Sequence, residues 1–384
     1  MDITMKKDDL VKIITFTPPL YKQRYHFIKQ LVDKHKPKKV ADLGCADCRL
    51  LWMLKFCNCI EELVGLDMNE EVMKENLYSL SPLPSDYLQP SERQLTVTLL
   101  QGSVVHKDLC MLGFDMVTCI ELIEHLEAKE LEKFPEVVFG FMSPAMIIIS
   151  TPNSEFNYLL PTVSLFRHPD HKFEWNRTQF QNWAVDVATQ YDYTVEFTGV
   201  GASPHGKDVG FCTQIGVFIR KKLRSIEPER FEECQRRIYK TVFKVIYPSL
   251  KDEKYLQNAV VSEVFRAAEI IARKHLDYRK SEYKKHCETL IGTESQFQQS
   301  TFQMYLDDLP FSEADGKIMQ PMAKGNVIYV PLAKIFSFSK VNHLCGTFEK
   351  LRKLVSGKIT LSHDGSAVMI EMDCENEQQD GDQN

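Results

Sequence analysis

Five short apolar runs separated by helical patterns constrain this chain more than any other feature. The first is Lys39–Leu43, followed by the small-residue turn Gly44-Cys45-Ala46-Asp47-Cys48 and a helical pattern opened by Leu50, Leu51 and Leu54. Leu63–Asp67 is a second strand, with Asn69 as N-cap of a helix over Glu70–Leu80. Leu95–Gln101, Phe114–Cys119 and Ala145–Ser150 are the third, fourth and fifth, the last of fully buried, parallel type. Strands alternating with helices at this rhythm predict a doubly wound, Rossmann-like α/β sheet. Tyr193–Thr198 and Phe211–Arg220 then read as an antiparallel pair that closes it.

Sheets of this kind bind ligands beyond the carboxyl ends of their strands. Gly44, Asp67, Ser103 and Glu121 all fall at those ends. Gly44 and Asp67 are 23 residues apart, close to the spacing at which a carboxylate meets an adenosine ribose. Ala46 and Cys48 stand where a G-x-G-x-G pattern would repeat, which argues against a pyrophosphate cradle. A phosphate-free ligand such as S-adenosylmethionine suits the turn better. Cys45 and Cys48 form a C-x-x-C, but with no second pair at metal spacing they are not read as a zinc site.

The fourth strand runs into Glu121-Leu122-Ile123-Glu124-His125-Leu126. On a helix, Glu121, Glu124 and His125 would share one face while Leu122, Ile123 and Leu126 anchor the other. Two carboxylates and an imidazole past a strand end suit a divalent cation. Taken by itself, such a motif is more often a solvated acidic face. A fourth ligand is available in Arg167-His168-Pro169-Asp170-His171-Lys172-Phe173-Glu174-Trp175, where His168 and His171 compete. Thr178 is the N-cap candidate for the helix that follows, over Gln179–Ala188.

Ahead of the sheet, Phe16-Thr17-Pro18-Pro19-Leu20 leads a helix whose stripe is Tyr21, Tyr25, Ile28 and Leu31. An ordinary packing helix explains the stripe. Aromatics and cations such as Arg24 crowding beside two prolines also suit a single-stranded nucleic acid end. The 384 residues carry a net charge of −6, so any nucleic acid contact is confined to local patches. No apolar run approaches the roughly 20 residues of a membrane span. The start of the chain lacks the apolar core of an export signal, so the 11 cysteines are expected to be reduced thiols. The predicted organisation is a helical arm over 1–36, the main unit over 37–222, an α+β accessory region over 226–372 and an acidic disordered tail over 373–384. Within the accessory region, Glu227–Tyr247 and Asp252–Tyr283 read as helices, and Gly325–Val330 and Lys358–Met372 as strands. Arg273-Lys274, Arg279-Lys280 and Lys284-Lys285 lie along the second helix as a basic ridge, with a solvated face as the default reading.

With these residues assembled, the first 220 or so positions resemble the small-RNA 3′-terminal 2′-O-methyltransferase family, of the animal piRNA methyltransferase type. The resemblance rests on Phe16–Tyr25, on Asp42-Leu43-Gly44-Cys45-Ala46-Asp47, on Glu121–His125 and on His171-Lys172-Phe173-Glu174-Trp175. It implies a class I methyltransferase fold and S-adenosylmethionine contacts around Asp42, Gly44, Asp67 and Ser103. It implies one divalent ion, Mg²⁺ or Mn²⁺, held by Glu121, Glu124, His125 and His171, which resolves the histidine choice towards His171. Phe16, Pro18, Pro19 and Arg24 would help hold the RNA. The expected reaction is methyl transfer to the 2′-hydroxyl of the 3′-terminal nucleotide of single-stranded small RNA. The expected setting is a cytoplasmic monomer, with RNA granules as a candidate site and an Argonaute- or Piwi-type protein presenting the RNA. A small-molecule O-methyltransferase would share the sheet and Asp67 but has no use for the proline-led arm. A non-catalytic RNA-binding module would have no use for the four ligands.

Overall fold

A computed structural model describes residues 14–160, 166–203, 209–221, 237–290, 313–314, 317–318 and 320–371. The expected disordered tail and the first residues of the arm lie outside this range. The chain divides into two units, residues 1–86 with 93–248, and residues 87–92 with 249–384.

The first unit is built on one eight-stranded sheet. Its strands are β1 (Lys39–Leu43), β2 (Glu62–Asp67), β3 (Thr96–Gln101), β4 (Met116–Ile120), β5 (Met146–Pro152), β6 (Tyr193–Ala202), β7 (Phe211–Arg220) and β8 (Lys240–Ile246). The order is β6-β7-β5-β4-β1-β2-β3-β8. β1 to β5 pair in parallel, and β6 and β7 form the expected antiparallel closing pair on β5. The strand order reverses beside β1, so the crevice between β1 and β4 is the switch point where a ligand is expected.

Alternation along each strand feeds two cores, one on each face. Ala41, Leu43, Val117, Ile147 and Ile149 point to one face, against Phe134, Phe139 and Phe180. Val40, Leu63, Leu99, Met116 and Ile148 point to the other, against Ile28, Leu51 and Leu54. Every residue of β5 is buried, as its uninterrupted apolar run demands. The arm helix α1 (Leu20–His35) starts directly after Pro19 and buries Ile28 and Val32.

Four local expectations are corrected. The helix over Glu70–Leu80 begins at Asn69, whose side chain caps Glu71 and Val72, but its first segment stops at Glu75 and a separate turn follows. The cap of the later helix, α2 here (Arg177–Gln190), is Asn176 rather than Thr178, in a reciprocal capping box with Gln179. The expected strand Lys358–Met372 is confined to Ala367–Glu371.

The largest correction concerns the end of the catalytic unit, expected near Lys222. Lys240–Ile246, read from sequence as part of a helix, is β8, an antiparallel strand on the β3 edge. Its Val242, Phe243 and Val245 pack on the core, and β-branched and aromatic residues favour that pleated edge.

The second unit packs a long helix, α3 (Glu253–Leu290), against the sheet strands Met322–Lys324, Val327–Pro331 and Ala367–Glu371 and three short helices between 332 and 355. Val260, Val264, Ala267 and Ala268 of α3 meet Ile328, Val330, Leu351 and Val355 in its core. No helix among the described residues is long and apolar enough to cross a membrane.

Candidate active site

The cofactor end of the switch point is a turn held by its own backbone. Gly44 and Cys45 donate to the Leu66 carbonyl at 2.8 and 3.2 Å, pulling the β1 turn onto β2. Gly44 has φ +76°, and a Cβ there would come within 2.8 Å of the Leu122 Cδ1 methyl, so a side chain would be strained and would have to displace it. The Asp67 carboxylate accepts from the amides of Ala46 and Asn69, both at 2.8 Å. An open depression of about 530 Å³ continues from this point, lined by Met68, Asn69, Glu70 and Gln101. Beneath the turn, Asp42 is buried and accepts from the Thr118 hydroxyl at 2.7 Å. Burial pushes its pKa up to about 7, against the pull of Thr118 and helped by nearby Asp67. Ser103 lies past β3, where its carbonyl accepts from the Tyr239 hydroxyl at 3.1 Å. Tyr239 also lies against Gly102, where a Cβ would come within 2.2 Å of its ring. The segment leading into β8 thus shapes the Ser103 loop, a role that the apparent boundary at 222 concealed.

The other end is built from the turn after β4 and the loop 166–175. The expected helix at Glu121 is absent. Glu121 adopts φ +53°, an uncommon left-handed state for a residue with a side chain. Ser150 causes this: its carbonyl and hydroxyl both accept from the Glu121 amide, at 3.0 and 3.1 Å. A single tight turn, Ile123–His125, then sinks Ile123 and Leu126 into the core as the pattern required. The same turn carries Glu124 to full burial.

Three imidazoles converge here. The ring nitrogens of His125, His168 and His171 lie within 4.8 Å of one another, and the His125 and His171 rings are 4.8 Å apart. His171 is oriented by its neighbours. His171 Nδ1 is 2.6 Å from the Glu174 carboxylate, which leaves Nε2 as its free donor atom. Glu174 is itself fixed by Asn157 and by the Arg167 amide, both at 2.6 Å. Burial first, then the neighbouring His171 and His168, lower the pKa of His125 and favour its neutral form. The Lys172 amide donates to the Glu124 carbonyl at 2.8 Å and ties loop to turn.

The two carboxylates have different surroundings. Glu121 pairs with Arg24 of α1 at 3.2 Å and accepts from the Ser150 hydroxyl at 2.9 Å. One Glu124 oxygen accepts from Thr151 at 3.0 Å, while its Oε1 is buried with no hydrogen-bond partner among the described residues. Burial, and then Glu121, raise the Glu124 pKa well above the ordinary carboxylate range. Three converging imidazoles and, on the turn that carries His125, a buried carboxylate oxygen without a partner among the described residues are donors of the kind a divalent cation takes. The residues therefore fit the metal.

The structure thus brings Glu121, Glu124, His125 and His171 to one end of the crevice, with Arg24 reaching in. Among the described residues the group whose donor atoms lie close enough to share one ion is His125, His171 and the exposed His168, and the carboxylates of Glu121 and Glu124 fall outside it. Phe16 packs on Phe156 with ring centroids 5.9 Å apart, and Pro18 and Pro19 are exposed ahead of α1. Ser150, Thr151, Arg167 and Glu174 were missed as supports from sequence. Only Glu174, inside the His171–Trp175 motif, left a signal there.

A parallel sheet of this order, closed by an antiparallel pair and carrying a glycine turn and acid at its switch point, defines a class I S-adenosylmethionine-dependent methyltransferase. Comparison with known proteins narrows the class. Residues 254–372 match the family model of the HENMT1 C-terminal domain. The chain is 60% identical to the small RNA 2′-O-methyltransferase of Gallus gallus, over 98% of this chain and all of that one. It is 50% identical to the protein of that name from Xenopus tropicalis (94% and 98% covered) and 36% identical to the one from Drosophila melanogaster (65% and 68%). It also superposes on the crystal structure of small RNA methyltransferase HEN1 with a TM-score of 0.51 and 30% identity, over 61% of this chain and 28% of that one. The chain belongs to the small RNA 2′-O-methyltransferase family.

Proposed function

We propose that this enzyme methylates the 2′-hydroxyl of the 3′-terminal nucleotide of single-stranded, piRNA-type small RNA, using a divalent ion held by Glu121, Glu124, His125 and His171. The unpartnered Oε1 of Glu124 carries the reading, because a structural carboxylate would be paired. The ion, Mg²⁺ or Mn²⁺, would supply Lewis-acid activation of the terminal hydroxyls and recognition of the adjacent 2′,3′-diol.

The chain's own residues do the rest. Gly44 lets the β1 turn approach the cofactor, and Asp67 fixes that turn beside the adenosine end. Asp42 supports it from below, and Ser103 stands past the neighbouring β3 end, held by Tyr239. The methyl group leaves sulfur as a bond forms to the 2′-oxygen, yielding S-adenosylhomocysteine and releasing the hydroxyl proton. Glu174 directs His171 Nε2 into the site, so both histidines act as ligands rather than as bases. Arg24 brings a cation to the same place, and Phe16, Pro18 and Pro19 set the start of the helix that carries it.

The test is methyl transfer from labelled S-adenosylmethionine to synthetic single-stranded RNA, with and without EDTA, followed by periodate treatment. The expected product resists periodate and forms only without EDTA. Transfer that survives EDTA, or a product that remains oxidisable, would defeat the metal-held diol. An Argonaute- or Piwi-type protein presenting the RNA remains part of the proposal, supported by the family's small-RNA substrate.

A further inference from the structure

The second unit contains a concave basic surface that the methyl-transfer site does not use. It is an open groove of about 660 Å³ between the C-terminal half of α3 and residues 320–334. Lys274 and Tyr278 stand one turn apart on α3, as do His275 and Arg279, and Lys334 and Gln320 face them. The carboxylate on its wall, Glu282, pairs with Lys285 at 3.9 Å. Among the described residues, no carboxylate lies within ion-pair distance of Lys274, Arg279 or Lys334, although Glu263 of the same helix pairs with Arg266 and with Lys340 from the helix Ser339–Cys345. Lys334 instead donates to the Gln320 side chain.

Two observations distinguish this wall from an ordinary solvated face. His275 Nε2 is buried with no hydrogen-bond partner among the described residues. Its pKa is lowered by burial first and then by Arg279 and Lys334, so the cations of the wall act on the buried ring. Tyr278 is also exposed, at 62% of its full surface, beside the cations. Unpaired cations around an exposed aromatic ring suit a single-stranded nucleic acid, whose phosphates take the charges while a base stacks on the ring.

We infer that this groove is a second RNA-binding site, in which Lys274, Arg279 and Lys334 take backbone phosphates and Tyr278 stacks on a base. The site holds the body of the RNA without reading its sequence. The inference takes from the proposed function only that single-stranded RNA is the substrate. An acidic protein segment could also answer the charges, but it has no use for the flat face of Tyr278.

The experiment is equilibrium binding of a fluorescent single-stranded RNA of small-RNA length to the full chain, in EDTA, over a range of salt concentrations. Wild type is compared with Lys274→Gln/Arg279→Gln and with Tyr278→Ala, all exposed or half-exposed positions, and thermal melts check their folding. The double variant should raise Kd about 10-fold at low salt. It should also flatten the log Kd against log salt slope by about 1.4, two contacts at roughly 0.7 each. Tyr278→Ala should raise Kd about 5-fold or more with the slope unchanged, since base stacking is worth roughly 1–3 kcal/mol. Methylation of an RNA only a few nucleotides long should proceed with the wild-type kcat in both variants.

Unchanged Kd and slope would overturn the inference while leaving the terminal chemistry intact. Unchanged RNA binding with loss of binding to a synthetic peptide of residues 373–384 would reassign the groove to an acidic protein segment. Failure of wild type to bind RNA in EDTA would sink this inference alone, since the metal-dependent terminal chemistry is read by the periodate assay without EDTA.

Discussion

The two ends of the crevice use carboxylates in opposite ways. At the cofactor end, both oxygens of Asp67 accept backbone amides, from Ala46 and Asn69, and the side chain stabilises the turn it sits in. At the other end, Glu124 is deeper, has one oxygen without a hydrogen-bond partner among the described residues, and is pushed towards its protonated form by burial and by Glu121. One carboxylate has both oxygens satisfied by backbone amides; the other leaves an oxygen that no described residue satisfies. A site that builds its own scaffold can be rigid before ligand arrives. A site that leaves charge unsatisfied stores a preference for the missing cation.

The sharpest test of that contrast is a matched pair of truncations. Glu124→Ala should reduce transfer by more than about 100-fold while changing S-adenosylmethionine affinity less than about 2-fold, and it should leave the melting temperature in EDTA equal to or above wild type. Asp67→Ala should weaken cofactor binding and lower the melting temperature, because two amides lose a charged acceptor worth about 1–3 kcal/mol. Calorimetric titration and thermal melts read both. If the two variants shift stability in the same direction, the contrast is wrong.

Glu174 sharpens it further, since it would act on the proposed metal end while touching none of the reacting atoms. Its carboxylate orients His171, and Asn157 and the Arg167 amide hold it in turn. Glu174→Ala should weaken Mn²⁺ binding about 10- to 100-fold, measured by electron paramagnetic resonance of the free ion, with cofactor affinity unchanged. Equal losses for both ligands would mean that the residue only supports the fold.

These contrasts also mark what was legible beforehand. The parallel strands were plain, because buried strands such as β5 are apolar at every position. The residues at the strand ends were plain for the same reason, since the strands fix where the chain turns. The helix expected at Glu121 failed because the deciding group is Ser150, 29 residues on and visible only once β4 and β5 are paired. β8 was hidden because Lys240–Ile246 gains its strand conformation from the β3 edge, not from its own pattern. Glu174 was visible as a motif residue, but its role depends on Asn157 and Arg167, which sequence does not place beside it.

Asp42 separates the two ends by pH. Its folded pKa, about 7, lies above the unfolded value near 3.8, so it keeps its proton over a range in which the unfolded chain has lost one. Its favourable contribution is therefore full below about pH 4 and is lost as pH rises through 7. Relative to Asp42→Asn, which has no proton to lose, wild type should become progressively less stable between about pH 4 and 7 and level off above. The accumulated difference is on the order of a few kcal/mol. Parallel melting curves for the two proteins across pH 4–8 would place the burial penalty elsewhere.

The smallest effect is expected at Arg24, and it has the least obvious sign. Its guanidinium lies 3.2 Å from Glu121 and donates to Thr213 at 3.2 Å, and both partners of the ion pair are mostly buried. If Glu121 is a ligand, Arg24 competes with the divalent ion for the same oxygens. Removing that competitor should tighten metal binding, by about 5-fold if the pair is worth roughly 1 kcal/mol. Arg24→Gln, which can still hydrogen-bond Thr213, should therefore bind Mn²⁺ more tightly while methylating RNA less well, because a cation facing the RNA has gone. A fall in metal affinity would instead show that Arg24 aims Glu121 at the ion. The metal end would then be assembled by its own fold in the way Asp67 assembles the cofactor turn, and the contrast between the two ends would shrink to Glu124 alone.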